Sequence, residues 1–241
     1  YIITVTVTDN GSLTDTQTLT VTVTDVNEAP VITSSSSTSF AENSTSTVIT
    51  VTSSDVDSGS SATYSISGTD ADDFSINSSS GALTFASTPN YEIPTDADPN
   101  NIYIITVTVT DNGSLTDTQT LTVTVTGVND NQPTITSNSS ISFAENNTSA
   151  VTTVTSTDLD AGDTAAYSIS GTDVDDFSIN AGSGVLTFAS TPDFENPTDS
   201  DANNTYIVIV TVTDGGSFTG TQTIIVSVTG VNDNQPSITS N

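Results

Sequence analysis

Residues 106–110 read Thr-Val-Thr-Val-Thr, and the same alternation fills 4–8, 20–24 and 122–126. A period of two sends Val to one face of a strand and Thr to the other, which predicts strands with one face buried. In the middle of the chain, segments of this kind cover about 31–40, 47–53, 62–67, 73–77, 82–86, 102–110 and 116–126, with turn signals such as Asp111-Asn112-Gly113 between them. No segment has the helical period. Short strands at this spacing predict an all-β chain of antiparallel sandwiches, each a seven-stranded Greek key.

The pattern repeats at long range. Tyr1 to Thr24 recurs unchanged at Tyr103 to Thr126 and in altered form at Tyr206 to Thr229, while FAEN stands at Phe40 and Phe143 and YSISGTD at Tyr64 and Tyr167. Repetition at a fixed step is the signature of a modular array. The expected division is 1–30, the C-terminal part of one repeat with its linker; 31–133 and 134–236, two complete repeats with their linkers; and 237–241, the start of another. The chain reads as a window cut from a longer one.

Composition narrows the chemistry. The chain carries 29 acidic residues and no Lys, Arg, His, Cys, Met or Trp, for a net charge of -29. Without imidazole, thiol or amine side chains most enzymes are excluded, and so are zinc-type metal sites. Without basic residues, nucleic acid and anionic membrane surfaces are repelled. No apolar run approaches the roughly 18 residues that cross a bilayer. Val, Ile and Thr in alternation are nonetheless a folding composition, not that of a disordered acidic tail.

The acids are not scattered. Glu occurs only at Glu28, Glu42, Glu92, Glu145 and Glu195, four of these being paired positions in two repeats. Antiparallel strands place successive connections at alternate poles of a sandwich. By that parity Glu42, Asn90 and Glu92 fall at the exit pole of the middle repeat, and Asp55, Asp57 and Asp111 at its entry pole. Head-to-tail stacking then predicts that Glu42, Glu92 and connector Asn129, Asp130 and Asn131 meet Asp158, Asp160 and Asp214 of the next repeat. Six carboxylates without a counter-charge call for a cation. Oxygen donors with no nitrogen or sulfur select calcium over other metals, with magnesium the weaker candidate.

These residues carry a family resemblance. FAEN with Glu42 and Glu145, NYE and DFE with Asp193 ending at Glu92 and Glu195, DVDSG and DLDAG, VTVTD ending at Asp111 and Asp214, and VNDNQP together resemble the calcium-binding motifs of cadherin repeats. The repeats of large bacterial surface adhesins look closest. The resemblance implies immunoglobulin-like sandwiches joined end to end, each junction binding up to three calcium ions. It extends the ligand set to Asp25, Asn27 and Glu28 in the first connector and to Asn232, Asp233 and Asn234 in the last. Departures are visible: Gly127 and Gly230 replace an Asp that Asp25 keeps, the first connector is one residue shorter, and Asn90 replaces an acid. Two ions at the middle junction are therefore expected. The Trp that vertebrate cadherins insert into a partner is missing.

Some acids have blander readings. The segments with Asp96, Asp98 and Asn100, and with Asp199, Asp201 and Asn203, read either as D-x-D-x-N oxygen loops or as polar turns. Asp70, Asp72 and Asp73, repeated at Asp173, Asp175 and Asp176, read as solvated turns. The functional expectation is an extracellular, cell-surface or secreted array that calcium stiffens, a non-enzymatic spacer or adhesion element. Its partners are the neighbouring repeats. Alternatives are a filament of many copies joined by strand addition and a module binding surface glycans.

Overall fold

The structure, a computed structural model, describes residues 1–238; the last three residues of the expected repeat start at 237–241 lie outside the described residues. Among those described, strands and two single-turn 3-10 helices are the regular elements, and no helix is long and apolar enough to cross a membrane. The chain forms two units, Tyr1–Pro89 with Thr95–Val125, and Asn90–Pro94 with Thr126 onward.

The first unit opens on a hairpin of β1 (Ile2–Thr8) and β2 (Thr14–Thr20), in which Ile3 faces Leu19 and Val5 faces Gln17. A sandwich follows, of β3 (Val31–Ile32), β4 (Ser37–Ala41), β5 (Ile49–Thr50), β6 (Ser53–Ser54), β7 (Thr63–Ser67), β8 (Phe74–Ile76), β9 (Ala82–Phe85), β10 (Ile102–Thr110) and β11 (Thr116–Thr126). One sheet runs β4-β11-β10-β7; against it stand β5-β9-β8 and the pair β3-β6. The alternation sets the core: Tyr103, Ile105, Val107 and Val109 of β10 and Leu121 and Val123 of β11 are buried, each apolar side chain contributing about 1.5–3 kcal/mol. Phe40, Phe74, Phe85 and Tyr103 interlock beside them, Tyr103 edge-on to Phe85 at 5.2 Å between ring centroids.

Two expected strands are broken. The segment 31–40 divides into β3 and β4, which belong to different sheets. The switch falls in a serine run, where Ser35 Oγ donates to Ser37 O at 2.8 Å and draws the backbone from its ladder. The segment 47–53 divides into β5 and β6 around Val51, whose N–H donates to Gly81 O at 2.9 Å. Gly81 has φ +70, and a Cβ there would overlap the carbonyl oxygen of Val51.

The second unit repeats the plan with β12 (Thr134–Ile135), β13 (Ser140–Ala144), β14 (Thr152–Thr153), β15 (Ser156–Thr157), β16 (Ala166–Ser170), β17 (Phe177–Ile179), β18 (Val185–Phe188), β19 (Thr205–Thr213) and β20 (Thr219–Thr229). Its sheets run β13-β20-β19-β16, β14-β18-β17 and β12-β15. β13 pairs with β20 in parallel, from Ser140 against Ile225 to Ala144 against Thr229. An otherwise antiparallel sandwich acquires this pair because its first and last strands run the same way.

Asp70 and Asp173 correct the solvated-turn reading. Asp70 is 4% exposed and accepts the N–H groups of Ala97 at 2.9 Å and Ile104 at 2.6 Å. Asp173 does the same for Ser200 at 2.9 Å and Ile207 at 2.6 Å. Asp72 and Asp175 are exposed, as expected. The D-x-D-x-N segments are closed turns, in which buried Asp96 and Asp199 accept N–H groups four and five residues on. These acids anchor the long connection into β10 and into β19, fixing where the next strand begins.

Candidate metal centre

In the first unit the connector after the hairpin is tied to the entry pole. Asn27 Nδ2 donates to Asp111 Oδ2 at 2.7 Å, and the Glu28 N–H donates to Asp57 Oδ2 at 2.8 Å. Asp55 is held by the Asp57 N–H at 2.9 Å and the Ser60 hydroxyl at 2.7 Å, which lower its pKa against the opposing effect of desolvation. Asp25, Glu28 and Asp57 bring carboxylate oxygens within 4.8 Å of one another. Desolvation, then the charge of Asp57, raises the Glu28 pKa above its ordinary 4.5. Glu42, just past β4, is 2% exposed.

The second unit builds its entry pole around Asp160. Its carboxylate accepts the Asn131 amide at 2.8 Å and the N–H groups of Asn131 at 2.9 Å and Asp130 at 3.1 Å, so the connector wraps one side chain. The Asn131 amide is the chief reason that the Asp160 pKa lies below its ordinary value. Glu92 and Asp130 lie within 4.8 Å of each other, and an open cleft of about 420 Å³ is lined by Glu92, Asn129, Asp160 and Asp163. Deeper in the pole Asp158, Asp163 and Asp214 form a second cluster within 4.8 Å around a cavity of about 90 Å³. Asp214 is 8% exposed; its Oδ1 accepts the Phe218 N–H at 2.7 Å. Asp158 Oδ2 and Asp214 Oδ2 have no hydrogen-bond partner among the described residues.

The exit pole of the second unit centres on Glu145, 3% exposed, which accepts the N–H groups of Phe194 at 2.8 Å and Val231 at 2.6 Å. Asp193 and Glu195 complete a cluster with it. Asn146 Nδ2 and Asn234 Nδ2 donate to Asp233 at 2.7 and 2.9 Å, and Asn232 is exposed beside them. The glycines that replace the connector acid have a structural role. A Cβ on Gly127 would stand 3.1 Å from the Tyr91 ring, and one on Gly230 3.1 Å from the Phe194 ring.

Of the expected acids, Asp25, Glu28 and Asp57 come together at one entry pole and Asp158 and Asp214 at the other, while Asp55, Asp111 and Asp160 stand outside these clusters, held by their own hydrogen bonds. Asp163 was not among the expected acids. It aligns with Ser60 in the shared loop, and the replacement of a hydroxyl by a carboxylate was the signal available. The donor set fits a hard divalent cation: carboxylate oxygens converge, Asp158 Oδ2 and Asp214 Oδ2 stay unpaired among the described residues, and the chain has no Lys, Arg or His to neutralise them. The rings of Phe74 and Phe85, and of Phe177 and Phe188, are taken up by the cores and offer no platform to a sugar.

The cadherin domain family matches residues 36–126 and 139–229. Among solved structures, mouse Cadherin-23 EC22-24 is similar at 25% identity and TM-score 0.71, over 95% of this chain and 74% of that one. Protocadherin gammaB7 EC3-6, solved as a cis-dimer, is similar at 24% identity and TM-score 0.76, over 94% of this chain and 59% of that one. Drosophila N-cadherin EC1-4 is similar at 23% identity and TM-score 0.66, over 84% of this chain, which spans 50% of that structure's length. With two stretches matched in tandem and the sandwich architecture in both units, the chain belongs to the cadherin domain family.

Proposed function

We propose that the chain is a calcium-binding stretch of extracellular repeats, stiffened by the ion and serving as a spacer in a large surface adhesin or fibre of bacterial type. The ligands are those expected from the sequence, with Asp158 and Asp214 foremost. The observation that carries the reading is the pair of unpartnered oxygens on these two residues, in a chain of net charge -29 without a basic side chain. The residues supply charge and fixed oxygen donors; the ion supplies the neutralisation. Calcium binding the ordered pole and not the loosened one shifts the population toward order. At ten times a dissociation constant of about 10⁻⁴ M, each ion stabilises by about 1.4 kcal/mol. Calorimetric titration with calcium, paired with small-angle scattering in calcium and in chelator, tests this. Saturable binding and a shorter particle in chelator are expected, and unchanged length sinks the spacer role.

A second reading has one observation of its own. The β1–β2 hairpin leaves Ile3, Val5, Val7 and Leu19 on one exposed face, whereas the same sequence in β10 and β11 buries its counterparts. Strands from another copy covering that face would join chains into a filament. Electron microscopy of the isolated protein distinguishes filaments from single particles.

A further inference from the structure

The loops Asp55 to Ser60 and Asp158 to Asp163 occupy the same place in the two units and differ at their last residue, Ser60 against Asp163. In the first unit the Ser60 hydroxyl donates to Asp55 Oδ2 at 2.7 Å, and the Asn27 amide donates to Asp111 Oδ2 at 2.7 Å. Both second oxygens are thereby taken by internal donors. In the second unit the residue replacing Ser60 has no hydroxyl to give, and Asn129, at the place of Asn27, donates instead to Asp163 Oδ2 at 2.7 Å. Asp158 Oδ2 and Asp214 Oδ2 are left without a partner, and Asp214 is 8% exposed. One residue difference accounts for both unpaired atoms. Asp163 is itself fixed, its Oδ1 accepting the N–H groups of Thr164 at 2.7 Å and Gly215 at 2.9 Å. All three carboxylates line the cavity of about 90 Å³.

We propose that Asp163 is an added cation ligand that makes the entry pole of the second unit a three-carboxylate site, binding calcium more tightly than the Ser60 site of the first. The inference rests on the calcium reading above. Ligand charge is a main determinant of calcium affinity, and Asp163 raises it by one. It acts twice, by contributing an oxygen and by diverting the Asn129 amide from Asp214.

The test is calorimetric titration of the whole protein with calcium ions, alongside Asp163→Ser, Asp163→Asn and Ser60→Asp. Asp163→Ser is expected to weaken one class of sites about tenfold or more and leave the rest unchanged. Asp163→Asn keeps an acceptor for Asn129 but removes the charge, and is expected to lose the same affinity; wild-type affinity in that variant makes Asp163 a positioning residue and overturns the proposal. Ser60→Asp is expected to tighten the weaker class. The shift of the melting temperature on adding calcium is an independent readout: it is expected to be smaller in both Asp163 variants than in wild type, and an equal shift in both overturns the ligand role. Absence of calcium binding in the wild type would instead overturn the calcium reading itself.

Discussion

Glu145 Oε1 accepts the backbone N–H of Val231 at 2.6 Å, joining the end of β13 to the connector that leaves the unit 86 residues later. The other oxygen takes the Phe194 N–H, so one buried carboxylate holds a loop and the exit connector together. Glu145→Ala orphans both donors and is expected to cost about 2–3 kcal/mol in urea unfolding with chelator present. Glu145→Gln keeps one acceptor and is expected to cost less; equal losses in the two variants would show that the bonds are not what the carboxylate contributes.

The two copies of one sequence give a matched experiment. Ile105 is fully buried, whereas Ile3, its counterpart in the hairpin, is 50% exposed. Ile105→Ala is expected to cost about 2–5 kcal/mol, and Ile3→Ala less than about 1 kcal/mol, in the same denaturation assay. Comparable losses would mean that the hairpin face is covered in solution.

Gly81 and Gly184 are required by space as well as by conformation. Each has positive φ, and a Cβ would overlap the carbonyl oxygen of Val51 or Val154. Gly81→Ala is expected to lower stability by about 2 kcal/mol or more, and a thermal melt reads it. Gly59, with φ +84 and nothing near its missing Cβ, serves as the control for conformation alone and should lose less.

Acid should act in two directions. Burial raises the pKa of Asp173, but the N–H groups of Ile207 and Ser200 outweigh it and leave the carboxyl below its ordinary 3.8. Its stabilisation is complete above the unfolded value and disappears as pH falls through the folded one. Asp201 is the opposite case, raised by its hydrogen bond to Asp199, then by desolvation and the Asp199 charge, and Glu28 is raised too. Protonating those two favours the fold, with the gain arriving as pH falls through their folded values. In chelator, the melting temperature should hold or rise on going from neutral pH toward about pH 5 and fall below about pH 4. Asp173→Asn should flatten the acid limb; an unchanged limb would remove Asp173 from the account.

Much of this was legible in the order of residues. Alternating Val and Thr located β10, β11, β19 and β20, and the confinement of Glu to repeated positions pointed to Glu42 and Glu145, both deeply buried. What escaped depends on contacts from far along the chain. Nothing near Asp70 announces that the N–H groups of residues 97 and 104 converge on it, so a short acidic stretch read as solvated. The division of 31–40 into two strands needs the second sheet to be present. Asp163 was hidden because its effect lies in which acceptor the Asn129 amide chooses.

Residues 1–24 and 103–126 are letter-for-letter copies whose strands meet in the same register, Ile3 opposite Leu19 and Ile105 opposite Leu121. Either stretch can stand in for the other without changing a residue or a pairing of the hairpin. A module joined at this stretch therefore meets the same two-stranded seam whichever copy supplies it, and its addition poses no new register to be found.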